Sequence, residues 1–496
     1  MNLLFRASLV LCAIGCAASQ AADRPNVLLL CVDDLKPALG CYGDPVARSP
    51  NVDRLAARGM RFDRAYCNQA VCAPSRNALL TGLRPQTLGI YDLATNFRIA
   101  RPDAITLPQA FMQQGYRTES LGKVFHVGHG NTDDKPSWSV PSLKVDVVAY
   151  ALTESHAAQG LTREEALFAN TSAKGLPRGA AYESAEVDDD AYPDGRIADE
   201  AARRLKAAAQ KPGEPFFLAV GFVKPHLPFC APKRYWALYD RSKFQLAARQ
   251  TPPEGAPSFA PQFGGELRQY KDIPESGPLD PDLQRTLIHG YYAAMSYMDA
   301  QLGKVLDALE ATGLAKNTIV VLWGDHGWHL GDHGMWCKHT NYEQAARIPL
   351  IVAGPHAPRP GTHSDALVET VDIYPTLCEL AGFEPPSGLD GRSFVAVLRD
   401  KEPTTRDSVI HVYPRNGMLG RAIRTKRYRL VEWKRIGSSD EPVIELYDYK
   451  TDPDETKNVA REQPAVVADL LQILDKHPAA SVPVHAPKGG KAPASR

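Results

Sequence analysis

A mostly parallel α/β sheet between layers of helices, followed by a smaller α+β unit with an antiparallel sheet, is the fold class these 496 residues predict. Three observations carry it. Four apolar runs lack the polar alternation of a half-solvated strand, so they read as strands buried on both faces. Helical patterns lie between them. Beyond about Asp407 the texture changes to short alternating runs, which suit an antiparallel sheet with one covered face.

The elements follow in order. Asn26 to Val32 (N-V-L-L-L-C-V) is the first buried strand and ends in Asp33-Asp34. Ser49-Pro50 reads as an N-cap and first helical position, opening a helix to about Arg58. Pro74 opens another to about Thr81. Phe216 to Phe222 is the second strand and stops just before Lys224-Pro225-His226. A long helical pattern covers about Asp282 to Ala311. Asn317 to Trp323 is the third strand, ending in Gly324-Asp325-His326, and Ile348 to Ala353 is the fourth. Val409 to Tyr413, Arg421 to Thr425, Tyr428 to Trp433 and Val443 to Tyr449 then form the small sheet, with a helix from about Pro464 to Asp475.

At 44% hydrophobic and 23% charged, the chain has material for a large core. Lys+Arg and Asp+Glu both number 57. That balance argues against the broad basic surface of a nucleic-acid binder, so an anionic ligand would have to meet a local pocket. Residues 1–21 read as a secretory signal peptide, with Arg6, an apolar stretch over Ala7 to Ala18, and small residues before Ala22. The stretch is short of the ~20 apolar residues a membrane span needs. A periplasmic or secreted protein without a membrane span is expected, with lipoprotein anchoring at Cys16 as the second option. Seven cysteines would remain after cleavage: Cys31, Cys41, Cys67, Cys72, Cys230, Cys337 and Cys378. Their scatter excludes a zinc ribbon or small disulfide scaffold and leaves any pairing open. The main unit is expected over 22–400, the second over 401–484, and a disordered tail over 485–496.

Three of the apolar strands end in the same kind of polar punctuation, where open α/β sheets bind ligands. Asp33 and Asp34 can face one ion only if the strand ends at them. With Asp325 they make an oxygen-rich set that suits a hard cation such as Ca²⁺ better than zinc. A solvated acidic turn is the plainer alternative for the pair alone.

Cys72 stands in Val71-Cys72-Ala73-Pro74-Ser75-Arg76, followed by a helix and Thr81-Gly82. C-x-P-S-R resembles the maturation motif of the type I, formylglycine-dependent sulfatases. Gly324-Asp325-His326-Gly327-Trp328, Asp372-Ile373-Tyr374-Pro375-Thr376, Leu389-Asp390-Gly391-Arg392-Ser393 and Glu445-Leu446-Tyr447-Asp448 match further family segments. Gly122-Lys123-Val124-Phe125-His126, Lys224-Pro225-His226-Leu227-Pro228-Phe229 and Gly334-Met335-Trp336-Cys337-Lys338 are most similar to the branch that acts on the 2-O-sulfate of iduronate. The stretch 135–200 matches nothing in that frame.

The resemblance implies an alkaline-phosphatase-like fold and a sulfated glycan as substrate. It implies that Cys72 is converted to 3-oxoalanine (formylglycine) by a formylglycine-generating enzyme during export. One hydroxyl of the hydrated aldehyde would attack sulfur, and the other would expel sulfate and restore the aldehyde, which an ordinary Ser or Cys ester could not do. Asp33, Asp34, Cys72, Asp325 and His326 would lie at one Ca²⁺, with direct contact by His326 left open. Arg76 would brace the formylglycine, Lys123 and Lys338 would neutralise sulfate oxygens, and His126 would be the base that collapses the sulfated diol. His226 would protonate the leaving alkoxide, with Lys338 as rival. His129, His329, His333 and His339 read as ordinary loop histidines, and Arg98 as an ordinary arginine, though it could meet a uronate carboxylate. Exo-cleavage of a uronate 2-O-sulfate is the leading substrate expectation, and galactan, fucan or ulvan fragments are the rival. A phosphate or phosphonate ester hydrolase of the same superfold, or a non-catalytic glycan binder, are the remaining classes.

Overall fold

The computed structural model describes residues 24–477 except 159 and 356–359, together with 479 and 482–485. The expected signal peptide, and all of the expected tail beyond residue 485, lie outside the described residues. No helix among the described residues is long and apolar enough to cross a membrane.

Seven strands form the central sheet: β1 (Asn26–Val32), β2 (Gly59–Tyr66), β3 (Arg117–Gly122), β4 (Phe216–Phe222), β5 (Thr318–Gly324), β6 (Arg347–Ala353) and β7 (Thr362–Glu369). Their order is β7-β2-β6-β5-β1-β4-β3. Every pairing is parallel except the two made by β6. An apolar run buried on both faces looks the same in either direction, so the Ile348–Ala353 pattern could not reveal the reversal. The sequence pattern also passes over β2, β3 and β7, because G-M-R-F-D-R-A-Y, R-T-E-S-L-G and T-H-S-D-A-L-V-E contain no continuous apolar run.

The main helices are α1 (Pro50–Arg58), α2 (Cys72–Thr81), α3 (Arg163–Phe168), α4 (Pro193–Ala209), α5 (Pro281–Ala311), α6 (Ile373–Leu380) and α7 (Pro464–Leu474). Alternation along β1 sorts them onto two faces. Leu28, Leu30 and Val32 pack with Val52 of α1, Ile197 and Leu205 of α4, and Leu287 and Met298 of α5. Val27, Leu29 and Cys31 pack with Leu79 of α2 and Ile373 and Leu377 of α6. The core thiol Cys31 is pushed up to about 12 by burial.

Two helix starts differ in detail from expectation. Ser49 occupies the N-cap position, but its hydroxyl accepts from the Gly40 amide (2.9 Å) and bonds Asp53 (3.2 Å) instead of capping. The second helix begins at Cys72, two residues before Pro74. Proline is tolerated there because the first-turn amides lack helical acceptors anyway.

β8 (Ser408–Arg415), β9 (Met418–Thr425), β10 (Tyr428–Lys434) and β11 (Val443–Asp448) form the expected antiparallel sheet in sequential order. Leu470 and Leu474 of α7 cover Ile410, Ile423, Leu430 and Leu446. All seven cysteines among the described residues are free thiols.

Candidate active site

Four adjacent parallel strands, β5, β1, β4 and β3, end on one edge of the sheet. The residues following them are Asp325-His326, Asp33-Asp34, Lys224 to His226, and Lys123 to His126. Asp34 adopts φ 57°, a left-handed conformation that ends the strand. Both carboxylates can then serve one centre, which a continuing strand would forbid. Its amide donates to Asp325 Oδ1 at 2.9 Å, joining the ends of β1 and β5.

Helix α2 supplies Cys72 and, one turn later on the same face, Arg76. Arg76 is fully buried. Its Nη2 lies 2.9 Å from Asp33 Oδ1 and 3.0 Å from Asp325 Oδ2, and Nη1 donates to the Lys123 and Val124 carbonyls. The planar fork ties α2 to three strand ends, a task a single ammonium could not perform. Ser75 Oγ donates to the Asp325 carbonyl. Cys72 Sγ sits 3.4 Å from His326 Nε2 and 3.9 Å from Lys123 Nζ, and Lys123 is ion-paired to Asp33. Lys338, from the loop after β5, bonds both Asp34 oxygens at 3.0 Å and Glu266 Oε1 at 3.0 Å. His226 Nε2 lies 3.3 Å from Glu266 and 3.9 Å from Asp34. His126 Nε2 meets His129 Nδ1 at 3.3 Å, and His126 Nδ1 is buried without a partner.

The charges are unevenly settled. Burial opposes ionisation of Asp33, but Lys123 and Arg76 outweigh it and hold the carboxyl well below its usual range. Burial lifts Asp325 to about 7, with the Asp33 charge adding and Arg76 opposing. It also raises Asp34 well above the ordinary value, because Asp33, Glu266 and Asp325 crowd it despite Lys338. Burial and the charge of Lys123 depress both His126 and His226. Burial and Lys338 depress His326.

This centre fits a cation. His326 Nδ1 donates to the Gly327 carbonyl at 3.0 Å, which leaves the lone pair of Nε2 facing Asp34 Oδ1 (3.3 Å) and Asp325 Oδ1 (3.6 Å). A nitrogen lone pair facing crowded carboxylates, with the Cys72 sulfur 3.4 Å away, is a cation-ligand geometry. Asp33, Asp34, Cys72 and His226 each bring a ligand atom within 4.8 Å of one another, as do Cys72, Asp325 and His326.

Ten of the residues singled out for chemistry therefore converge: Asp33, Asp34, Cys72, Arg76, Lys123, His126, His226, Asp325, His326 and Lys338. Arg98 does not join them. It is spent on Asp134 (2.8 and 2.9 Å), Gln109 and the Pro102 and Ala104 carbonyls. Two contributors have no motif. Glu266 links Lys338 to His226 from a loop with no periodic pattern. Phe168 ends α3, inside the unmatched stretch, and its ring lies 4.9–6.1 Å from the rings of His129, His226 and His126 and 5.2 Å from Lys123 Nζ. The one signal that could have found α3 is its capping box, Thr162 with Glu165.

The fold and this edge of the sheet define a class, and sequence comparison agrees with it. The sulfatase family model matches residues 25–383, and a model for the C-terminal part of N-sulphoglucosamine sulphohydrolase matches residues 331–478. The chain belongs to the sulfatase family, has the alkaline-phosphatase-like fold, and is a sulfuric ester hydrolase. Within that family it resembles iduronate 2-sulfatase: the mouse protein is 34% identical, over 89% of this chain and 92% of the relative. A sulfatase of Formosa agariphila is 32% identical over 91% of this chain and 87% of its own. Among solved structures, the phosphonate monoester hydrolase of Agrobacterium radiobacter superposes with a TM-score of 0.73 at 21% identity, covering 91% of this chain and 95% of that one, a likeness of fold alone.

Proposed function

We propose that the protein is an exported exo-sulfatase that removes a 2-O-sulfate from iduronate or a related uronate at the end of a sulfated glycan, using Cys72 matured to formylglycine. The observation that carries this reading is the setting of Cys72 in the first turn of α2. It lies between His326 and Lys123, beside the carboxylates of Asp33, Asp34 and Asp325. The similarity to iduronate 2-sulfatase supports the substrate, and residues 1–21 support export.

Asp33, Asp34, Asp325 and His326 would hold Ca²⁺, which when bound supplies positive charge that acidifies the hydrated formylglycine and draws in a sulfate oxygen. The chain's own groups do the rest. Arg76 fixes the two outer carboxylates and the turn of Lys123, so the nucleophile at position 72 is held in place. Lys123 and Lys338 stabilise charge on the sulfate oxygens as the ester bond lengthens. His126, held neutral, takes the proton from the second hydroxyl when sulfate leaves. For the leaving sugar oxygen, the geometry favours Lys338 over His226. Burial works against the Lys338 ammonium, but Asp34 holds it charged, while His226 Nδ1 donates to the Leu227 carbonyl and its Nε2 is held neutral.

The test is the mass of the peptide spanning Cys72 from enzyme purified from its own host. It is paired with turnover of 2-O-sulfated uronate disaccharides against sulfated galactose and fucose. Aldehyde or hydrate at position 72 with preferred uronate turnover is the expected result. An unmodified thiol in folded, active enzyme would overturn the mechanism.

A further inference from the structure

Buried arginines in this chain normally face acid. Arg76, Arg84, Arg406, Arg424 and Arg429 each lie within ion-pair distance of a carboxylate. Arg268 does not, but its donors go to the Phe263, Pro274 and Gly277 carbonyls. Arg415, only partly buried, also lacks an acid: among the described residues it has no carboxylate partner. One Nη2 donates to the His339 carbonyl, and Nε is buried with no acceptor at all. Its plane rests on the Tyr413 ring at 5.1 Å. Burial lowers its pKa, and only Tyr413 and Tyr342 offset that.

Its place in the fold makes the vacancy informative. Arg415 ends β8, at the tight turn into β9, so the C-terminal sheet delivers it. The carbonyl it grips belongs to the residue after Lys338, which bonds Asp34 in the centre. The Tyr413 ring meets the His339 ring edge-on at 6.1 Å, placing the hairpin beside that loop. A second guanidinium, Arg435, lies against Gly417 of the same turn, within 2.9 Å of where a Cβ would stand. The rim beside Lys338 therefore presents cationic donors that have no carboxylate partner among the described residues. A guanidinium has five N–H donors, and one with no acid beside it keeps hydrogen-bonding capacity that a ligand's acceptor can use. A planar fork matches a carboxylate better than it matches a hydroxyl.

We propose that Arg415 is the specificity residue that reads the carboxylate of the sulfated sugar, while Lys123 and Lys338 take its sulfate. This rests on the uronate reading above, and it replaces Arg98, whose donors are already used. It also gives the second sheet a part in the site, since the sulfate-binding groups come from the first sheet and its loops.

The test compares matured wild-type enzyme with Arg415→Ala and Arg415→Lys. Each is given a 2-O-sulfated uronate disaccharide and the same compound with its carboxyl reduced to the alcohol. The expected result is a fall of about tenfold or more in the uronate-to-reduced ratio of kcat/KM for Arg415→Ala, carried by KM, as the loss of charge-assisted hydrogen bonds predicts. Arg415→Lys should recover part of the ratio. If Arg415→Ala melts early, Arg415→Lys alone is read, its ratio falling between wild type and unity. An equal loss on both substrates, or an unchanged ratio, overturns the role of Arg415 and leaves the uronate reading standing. A wild-type enzyme that turns over sulfated neutral sugars but not the uronate overturns both.

Discussion

Arg76 shows how much of the site hangs on one side chain. Its guanidinium meets two carboxylates and two carbonyls with no exposed surface. Every one of those partners is a group that carries or positions a candidate catalytic residue. Lysine at this position keeps the charge and loses the fork. One ammonium cannot reach both Asp33 and Asp325 and the Lys123 and Val124 carbonyls, so at least one buried acid and one carbonyl go unpaired. Breaking a buried pair costs roughly 3–5 kcal/mol. Arg76→Lys should therefore lower the unfolding free energy by about that amount and abolish turnover, measured by denaturant titration and sulfate release. A variant that unfolds like wild type would show that the carboxylates do not need the arginine.

Among the elements, legibility followed the source of each side chain. Asp33, Asp325 and His226 were readable because each follows a continuous apolar run, and Cys72 and Arg76 because a motif fixes their spacing. Lys123 and His126 follow β3, whose R-T-E-S-L-G has no apolar pattern, so only resemblance pointed to them. Glu266 and Phe168 sit in irregular or very short segments, where neither period nor motif exists and only tertiary packing gives them a role. The six-residue helix α3 is worth a direct test. Its cap, Thr162, holds the first turn, and its last residue walls off Lys123 and three histidines. Phe168→Ala removes an aromatic face worth about 0.5–2 kcal/mol to a neighbouring cation and opens the pocket to water. KM is expected to rise several-fold with little change in Tm, because Phe168 is only half-buried. An unchanged KM would mean the wall does not touch the substrate.

At the scale of the whole molecule, one buried acid is a central tie between the two sheets. Glu369 ends β7 and is fully enclosed. It pairs with Arg84 (2.7 Å) and Arg406 (2.7 Å) and accepts from the Asn68 side chain (3.0 Å) and the Ile410 amide of β8 (2.9 Å). Burial alone would raise its pKa, but Arg406 and Arg84 bring it down to about 2 from an ordinary 4.5. A depressed carboxylate stabilises the fold in full above its unfolded value, and that contribution is lost as pH falls from about 4.5 toward 2. Its neighbour Asp372 has the opposite sign. Burial and the Glu369 charge raise it to about 6 against the pull of Arg406. Its contribution is complete below 3.8 and is lost as pH rises through 6. The junction should therefore be firmest in mildly acidic solution and weaken below pH 4.5. Glu369→Gln removes the charge between two buried arginines, so it should lower Tm markedly at pH 7, where the wild-type pair is intact. The gap between variant and wild type should then close as pH drops from 4.5 toward 2, since wild-type Glu369 is itself becoming neutral. Melting curves of both proteins at steps across that window decide the matter. A gap that stays constant with pH would mean the residue acts by shape and hydrogen bonding, and that the two sheets are not held together by its charge.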